Sequence, residues 1–197
     1  MQYYEKKVKK MGYRLIAGVD EAGRGPLAGP VVASAVILRK TIKGINDSKK
    51  LSPAKRYRLF LKIISTSIVG ISVVNERIID RINILNATLK AMEKAIFNLT
   101  VAPDYLLIDG PSAPLTPYPA LRLIKGDQKS CSIAAASIVA KVIRDKIMML
   151  FDKSYPQYGF CFHKGYPTRR HITSLNKYGP SPIHRYSFRP VKELKYD

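Results

Sequence analysis

Short apolar runs of strand length alternate along this chain with longer segments in which apolar residues recur at helical spacing. Strands are predicted at residues 14–20, 31–38, 67–74, 105–109 and 121–124, and helices at residues 53–65, 78–96, 130–152 and 169–177. Strands that alternate with helices predict an α/β layer fold. Because no repeat, low-complexity tract or linker divides the 197 residues, we expect one domain with a substantial core.

Polar residues that can cap helices mark several of these boundaries. Ser52 followed by Pro53 predicts a helix start, and Asn75 and Thr168 can cap the helices that follow them. The helix from residue 130 begins with a run of small side chains, which allows a close approach to a sheet. Four prolines between residues 111 and 119 exclude regular structure there.

The chain carries a large excess of positive charge. It has 34 Lys and Arg against 14 Asp and Glu, a formal net charge of +20. Such an excess indicates an anionic partner, either nucleic acid or an anionic membrane surface. The longest uncharged apolar-rich run, residues 26–38, contains two prolines and is too short to span a membrane, so nucleic acid is the expected partner. Cys131 and Cys161 are expected to be reduced thiols in a cytoplasmic protein, with a disulfide or metal site as the alternative.

Four of the few acids lie at glycine-flanked ends of three apolar runs: Asp20 and Glu21, Asp109, and Asp127. Carboxylate oxygens suit Mg²⁺ or Mn²⁺, and a two-metal site on a phosphate needs several of them. Neighbours on a strand face opposite ways, so Asp20 and Glu21 are expected to converge only if the backbone turns at Glu21. The alternative is that each Asp caps a turn. Three such ends in an acid-poor chain favour a metal-dependent nuclease.

The segment Gly23-Arg24-Gly25-Pro26 follows the first two acids. It formally begins a dinucleotide-binding fingerprint, but the proline and the prompt return to a strand-like run do not predict a helix there. We interpret it as backbone that approaches a ligand closely, with Arg24 available for a phosphate.

The C-terminal part is basic and aromatic, with half of the 18 aromatic residues between residues 151 and 188. Cations neutralise phosphates and rings stack on bases or sugars, although a solvated cationic face over an aromatic mini-core is the alternative. We expect packing roles for most of these rings, including Phe151, Phe160 and Phe162. Tyr166 differs because it lies in a Gly/Pro turn. The histidines, His163, His171 and His184, are expected to be surface or packing residues rather than catalytic bases.

Taken together, these segments resemble ribonuclease HII, the type 2 RNase H family. The matching stretches are residues 17–26, 46–52, 108–110, 125–127, 132–137, 163–168 and 179–185, with Lys141, Arg144 and Asp145. They span nearly the whole chain in the family's order.

The resemblance implies an RNase H-like fold, a central mixed β-sheet flanked by helices, with a small helical C-terminal extension. Residues 1–197 would form one catalytic domain, and residues from about 155 to 197 would bind substrate. It implies cleavage of the RNA strand of RNA–DNA hybrids and incision at single ribonucleotides in duplex DNA, leaving 3′-hydroxyl and 5′-phosphate ends. By the same resemblance, the ligands of Mg²⁺ or Mn²⁺ would be Asp20, Glu21, Asp109 and Asp127. The backbone of Gly23, Arg24 and Gly25 would recognise the 2′-hydroxyl. Tyr166 would stack on a deoxyribose, and Lys49 would contact a phosphate.

Two other readings remain open at the level of the sequence. A non-catalytic RNA- or DNA-binding protein explains the charge but not the grouped acids, and a different RNase H-fold nuclease, such as a junction resolvase, explains both. We expect a monomer because no long heptad or exposed apolar stripe is visible. The choice between the two metals and an association with a replication clamp also stay open.

Overall fold

The computed structural model describes residues 1–45, 48 and 51–194. Its centre is a five-stranded sheet of β1 (Ile16–Ala22), β2 (Val31–Leu38), β3 (Ser67–Val74), β4 (Tyr105–Asp109) and β5 (Ala120–Leu123). The spatial order is β3-β2-β1-β4-β5. The first three strands are antiparallel neighbours, whereas β4 runs parallel to β1 and β5 parallel to β4. The predicted mixed sheet is therefore confirmed, with β5 one residue earlier than expected.

In the described residues, six α-helices accompany the sheet: α1 (Tyr3–Lys10), α2 (Pro53–Thr66), α3 (Glu76–Phe97), α4 (Cys131–Ser154), α5 (Phe160–His163) and α6 (Arg169–Tyr178). One face of the sheet packs on α3, where Ala17 and Val19 join a core cluster. The other face packs on α4 and α2 around Val36. The sheet is thus covered on both faces, which explains its nearly continuous apolar strands. None of the helices in the described residues is both long and apolar enough to cross a membrane.

The small side chains at the start of α4 let this helix lie directly on β1. A Cβ atom added to Gly18 would come within 2.0 Å of the Ser132 carbonyl carbon, so only glycine fits at that crossing. Because Gly18 and Asp20 face the same side of the strand, α4 also runs beside Asp20. The close approach predicted from the sequence is confirmed, and it places the helix next to the first acid.

The predicted helix caps are confirmed. The side chains of Ser52, Asn75 and Thr168 accept hydrogen bonds from backbone N–H groups at 3.4, 3.1 and 3.3 Å. The sequence did not indicate that α3 is interrupted at Asn83, which has φ 64°. There the Asn83 side chain accepts from the Asn86 N–H at 3.0 Å, so the second half of α3 has its own cap.

Helix α1 was not predicted from the sequence, and its position follows from a contact far along the chain. Glu5 Oε1 accepts hydrogen bonds from Ser130 Oγ at 2.6 Å and from the Ser132 N–H at 2.9 Å. A carboxylate at the N-terminus of a helix is favourable because the free N–H groups there carry partial positive charge. Helix α1 therefore helps to fix the start of α4.

The small helical C-terminal extension consists of α5, α6 and short 3-10 segments at 156–158 and 191–193. It contacts the loop between β1 and β2 through backbone hydrogen bonds, Leu27 N–H to Gly165 O and Gly29 N–H to Ile183 O, both 2.8 Å. Phe160 is buried and Phe151 packs beside the same cluster. The packing role predicted for Phe162 is wrong: its side chain is 69% exposed, and the Arg170 guanidinium carbon lies 4.1 Å from its ring centroid.

Candidate active site

The four predicted acids line one cavity of about 380 Å³. Its wall also includes the loop after β1, Ser137 and Lys141 of α4, and Tyr166 of the C-terminal extension. Asp20 and Asp127 are buried, whereas Glu21 and Asp109 are half-buried. Residues far apart in sequence are thus brought together where β1 and β4 end. The predicted phosphate contact Lys49 lies outside the described residues.

Asp20 and Glu21 share this cavity without the backbone turn that the sequence led us to expect. Strand β1 continues in register through both, with Asp20 opposite Ser34 and Glu21 opposite Ala33 of β2. Asp20 lies on the α4 side, where Ser137 of that helix shares the cavity wall with it. Glu21 lies on the α3 side, where it borders a small crevice.

The two acids can meet because β4 is shorter than β1. The last pair between these strands is Val19 with Ile108, so the edge of β1 beyond Val19 lies open on that side. Asp109, the last residue of β4, is the next position in this register and lies beside both acids. The predicted turn at Glu21 was therefore wrong, and a difference in strand length replaces it.

A short turn after β5 carries the fourth acid. Asp127 lies in a 3-10 segment, Gly126–Gln128, that begins after Lys125 adopts a left-handed conformation. Asp109 Oδ1 accepts a hydrogen bond from the Gly126 N–H at 2.5 Å. A Cβ atom at Gly126 would lie 2.6 Å from Ile133 Cδ1, so the turn packs tightly against α4. This hydrogen bond ties the segment that holds Asp127 to the end of β4.

Burial and the charges of neighbouring carboxylates raise the affinity of Asp20 and Glu21 for protons. Burial, followed by the charges of Glu21 and Asp109, raises the pKa of Asp20 well above its ordinary value. Burial likewise raises the pKa of Glu21; the Arg24 charge opposes this rise and that of Asp109 adds to it. Arg24 reaches Glu21 only at 3.4 Å. The cluster therefore holds more negative charge than its protein neighbours neutralise.

This donor set fits a hard divalent cation. The described residues that line the cavity offer carboxylates and hydroxyls but no His or Cys, which is the ligand chemistry of Mg²⁺ or Mn²⁺ rather than of Zn²⁺. Within the part of the chain that is described, no three His, Cys, Asp or Glu side chains converge on one point as a finished coordination sphere. Side-chain rotations within the cavity would be needed to complete one.

The glycine–arginine–glycine loop directly follows β1, and its two glycines have different surroundings. Gly23 has φ +102°, and an added Cβ would lie 2.1 Å from Arg144 Nε. An added Cβ at Gly25 would meet only Tyr166 Cε1, at 3.7 Å. The first glycine is therefore required by the fold, whereas the second faces the space between the loop and the Tyr166 ring.

Tyr166 lies on the far side of this space, 42% exposed. Its N–H donates to His163 O at 2.9 Å, and its carbonyl lies 2.9 Å from His171 Nδ1. Lys141 Nζ lies 6.0 Å from the centroid of its ring. A fixed backbone with an accessible ring suits stacking against a sugar or base.

The three histidines are packing residues, as predicted. All are buried, His163 and His171 stack with centroids 4.4 Å apart, and His171 Nε2 lies 3.0 Å from His184 Nε2. Burial lowers the pKa of His171 to about 4 and that of His184 to about 3, so both are neutral at physiological pH. None of them belongs to the described lining of the carboxylate cavity. Both cysteines are free thiols.

The sequence analysis predicted no role for two buried arginines near the site, Arg144 and Arg185. Arg144 donates to the carbonyls of Ala28, Pro30 and Lys164. Arg185 donates to carbonyls of the loop after β1. For Arg144 a signal was available, because Ser137, Lys141 and Arg144 recur at helical spacing on α4.

Comparison with known proteins gives a consistent assignment. The family model described as ribonuclease HII matches residues 17–191. A ribonuclease HII from Geobacter sulfurreducens is 53% identical over 193 residues, which cover 96% of this chain and 89% of that protein.

Solved structures agree in fold. The ribonuclease H2 from Pyrococcus horikoshii is similar with a TM-score of 0.77 and 27% identity, over 91% of this chain and 96% of that one. The RNase HII of Archaeoglobus fulgidus, solved as a complex with PCNA, gives a TM-score of 0.77 and 25% identity, over 93% and 98% of the two chains. The chain belongs to the ribonuclease HII family, endonucleases that hydrolyse RNA in RNA–DNA hybrids.

Proposed function

We propose that this protein cleaves RNA–DNA hybrids and also incises duplex DNA at single embedded ribonucleotides, using Asp20, Glu21, Asp109 and Asp127. The observation that carries the proposal is their shared cavity, bordered by the glycine loop on one side and Tyr166 on the other. A purely adhesive nucleic-acid-binding protein has no use for four carboxylates beside its phosphate contacts, because uncompensated they repel the backbone.

The carboxylates would hold two divalent ions, Mg²⁺ or Mn²⁺. When bound, such ions supply activation of water and stabilisation of the leaving 3′ oxygen, so that the products carry 3′-hydroxyl and 5′-phosphate ends. The raised pKa of Asp20 and Glu21 supports this role, because a cation would offset both the burial of these carboxylates and the repulsion from the Asp109 charge that raise it.

The chain's other residues would position the substrate. Backbone groups of Gly23, Arg24 and Gly25 would contact the 2′-hydroxyl, which can donate and accept hydrogen bonds and so distinguishes RNA from DNA. The exposed Tyr166 ring would stack on the neighbouring deoxyribose. The Arg24 side chain, 46% exposed, would contact a phosphate without reading base sequence, and Lys49 is proposed for a similar contact.

The decisive experiment compares cleavage of four duplexes: an RNA–DNA hybrid, DNA with one ribonucleotide, the same duplex entirely of DNA, and a four-way junction. Each is incubated with Mg²⁺ or Mn²⁺ and with chelator. We expect metal-dependent cleavage of the first two only. Retention of every duplex without cleavage would identify a binding protein, and cleavage of the junction alone a resolvase.

Two further proposals concern the cellular setting. Free thiols and a nucleic-acid substrate support a cytoplasmic location. The likeness to the A. fulgidus protein seen with PCNA supports a sliding clamp as a protein partner. Co-elution with the host's clamp in gel filtration would test the latter.

A further inference from the structure

Arg185 connects the C-terminal extension to the glycine loop. Its side chain is fully buried. Nε donates to Gly29 O at 2.9 Å, and the two terminal nitrogens donate to Arg24 O at 2.9 Å and Gly23 O at 2.6 Å. One guanidinium therefore holds two consecutive carbonyls of the loop and a third further along it.

These bonds also fix the direction of two N–H groups. In a planar trans peptide the C=O of one residue and the N–H of the next point in opposite directions. Holding the Gly23 and Arg24 carbonyls against Arg185 therefore turns the N–H groups of Arg24 and Gly25 away from it. Within the described part of the chain, neither of these N–H groups donates to a protein acceptor, so both can donate to a ligand.

Burying the Arg185 guanidinium lowers the stability of the fold, because the charge loses its hydration. Arg144 lies close by, and among the described residues neither arginine has a carboxylate within 4.0 Å. Burial and then the Arg144 charge lower the pKa of Arg185 to about 9. A neutral apolar side chain would pack there without this desolvation penalty. The guanidinium supplies what such a side chain cannot, namely three donors in a fixed plane.

We propose that Arg185 is a positioning residue for ribose recognition: through the Gly23 and Arg24 carbonyls it directs the Arg24 and Gly25 N–H groups toward the 2′-hydroxyl. The inference rests on the proposed function of the loop. It also gives the C-terminal extension a specific task, since its residue 185 sets the geometry of a loop more than 150 residues earlier in the chain.

The conservative variant Arg185→Lys separates geometry from charge. Lysine keeps the positive charge but has no planar fork, so it cannot hold two adjacent carbonyls and a third at once. If Arg185 acts only through its charge on the substrate's phosphates, lysine will substitute for it. If it acts through geometry, lysine will not.

The experiment measures equilibrium binding with Mg²⁺ in an Asp109→Asn background, where we expect no turnover. Two duplexes are compared, one with a single ribonucleotide and one entirely of DNA, and the ratio of their Kd values is the readout. We expect Arg185→Lys to reduce the preference for the ribonucleotide about tenfold, the effect of losing one or two hydrogen bonds. A general loss of fold would weaken both duplexes and leave the ratio unchanged.

Arg14→Lys is the matched control, because Arg14 is an exposed arginine just before the first residue of β1, at the end of the strand away from the glycine loop. Added to the Asp109→Asn background, Arg14→Lys should leave the ratio of the two Kd values unchanged. A folded Arg185→Lys protein with that same ratio overturns the inference. If the background protein itself shows no preference and the parent protein does not cleave the ribonucleotide duplex, it is the proposed function that fails.

A second variant decides the matter should Arg185→Lys not fold. The ring centroid of Phe188 lies 5.0 Å from the Arg185 guanidinium carbon. Phe188→Leu loosens the guanidinium while retaining an apolar side chain. A reduced ribonucleotide preference supports the inference, and an unchanged one overturns it.

Discussion

The two glycines of the loop after β1 should respond in opposite ways to the same substitution. Gly23→Ala places a methyl group in the fold, whereas Gly25→Ala places it in the gap that faces Tyr166. Gly23→Ala should lower the stability of the fold, whereas Gly25→Ala should impair only the binding and cleavage of substrate. Each variant is thus the matched control of the other.

The cost of Gly23→Ala follows from its conformation and neighbours. A positive φ costs a non-glycine residue about 1 kcal/mol or more. The new Cβ would also lie 2.1 Å from Arg144 Nε and 2.7 Å from Pro30 O, so the guanidinium must move. Weakening its charge-assisted hydrogen bonds costs roughly 1.5 kcal/mol each. We expect a total loss of about 4 kcal/mol, or a Tm lower by about 10 °C for a domain of this size.

The effect of Gly25→Ala should appear only with substrate. Its backbone is outside the left-handed region, and its new Cβ would make one ordinary contact at 3.7 Å. We expect a change in unfolding free energy within about 0.5 kcal/mol, because alanine also reduces the freedom of the unfolded chain. An added methyl group between the loop and a ribose should cost about 1–3 kcal/mol of binding, which lowers kcat/KM about 10- to 100-fold.

Urea denaturation and kcat/KM on a duplex with one ribonucleotide provide the two measurements. The expected pattern is an unstable Gly23→Ala protein and a stable Gly25→Ala protein with poor activity. A Gly25→Ala protein that is stable and fully active would refute the placement of the ribose beside this loop. A Gly23→Ala protein as stable as the parent would refute the inference that Arg144 and the positive φ leave no room for a side chain at residue 23.

Three other changes test separate parts of the site. Asp109→Asn should lower turnover at least about 10³-fold. It should leave the metal-free protein as stable as the parent or more stable, because repulsion between residue 109 and the acids of β1 is relieved. Circular dichroism that shows an unfolded variant would contradict the stability prediction. Arg24→Ala should reduce the log–log salt slope of duplex binding by about 0.9, the share of one phosphate contact, and an unchanged slope would exclude that contact. Burial lowers the pKa values of His171 and His184, so below pH 6.5 the unfolded chain binds protons that the folded protein does not. The unfolding free energy should therefore fall by roughly 1.4 kcal/mol per pH unit for each of these two histidines as the pH drops toward 4. Denaturation midpoints should show a shallower fall for His184→Asn, and equal slopes would count against neutral buried histidines.

The sequence predicted what depends on neighbouring residues. Apolar periodicity located the five strands, and Ser52, Asn75 and Thr168 marked helix starts because a cap acts within three residues of itself. The break at Asn83 was missed, since the same apolar spacing continues across it. Phe162 was misassigned because a four-residue helix has no periodicity to show which ring faces inward.

The candidate site shows the same division. Residue type alone indicated that Asp20, Glu21, Asp109 and Asp127 could hold metal, since grouped carboxylates are rare in so basic a chain. How these side chains meet was decided by the tertiary structure. Strand β4 ends where β1 continues, so the edge of β1 beyond Val19 is open, and Asp20 on one face and Glu21 on the other can both reach it. The three hydrogen bonds of Arg185 likewise join residues about 160 positions apart, and no local pattern encodes such a contact because it exists only once the chain is packed.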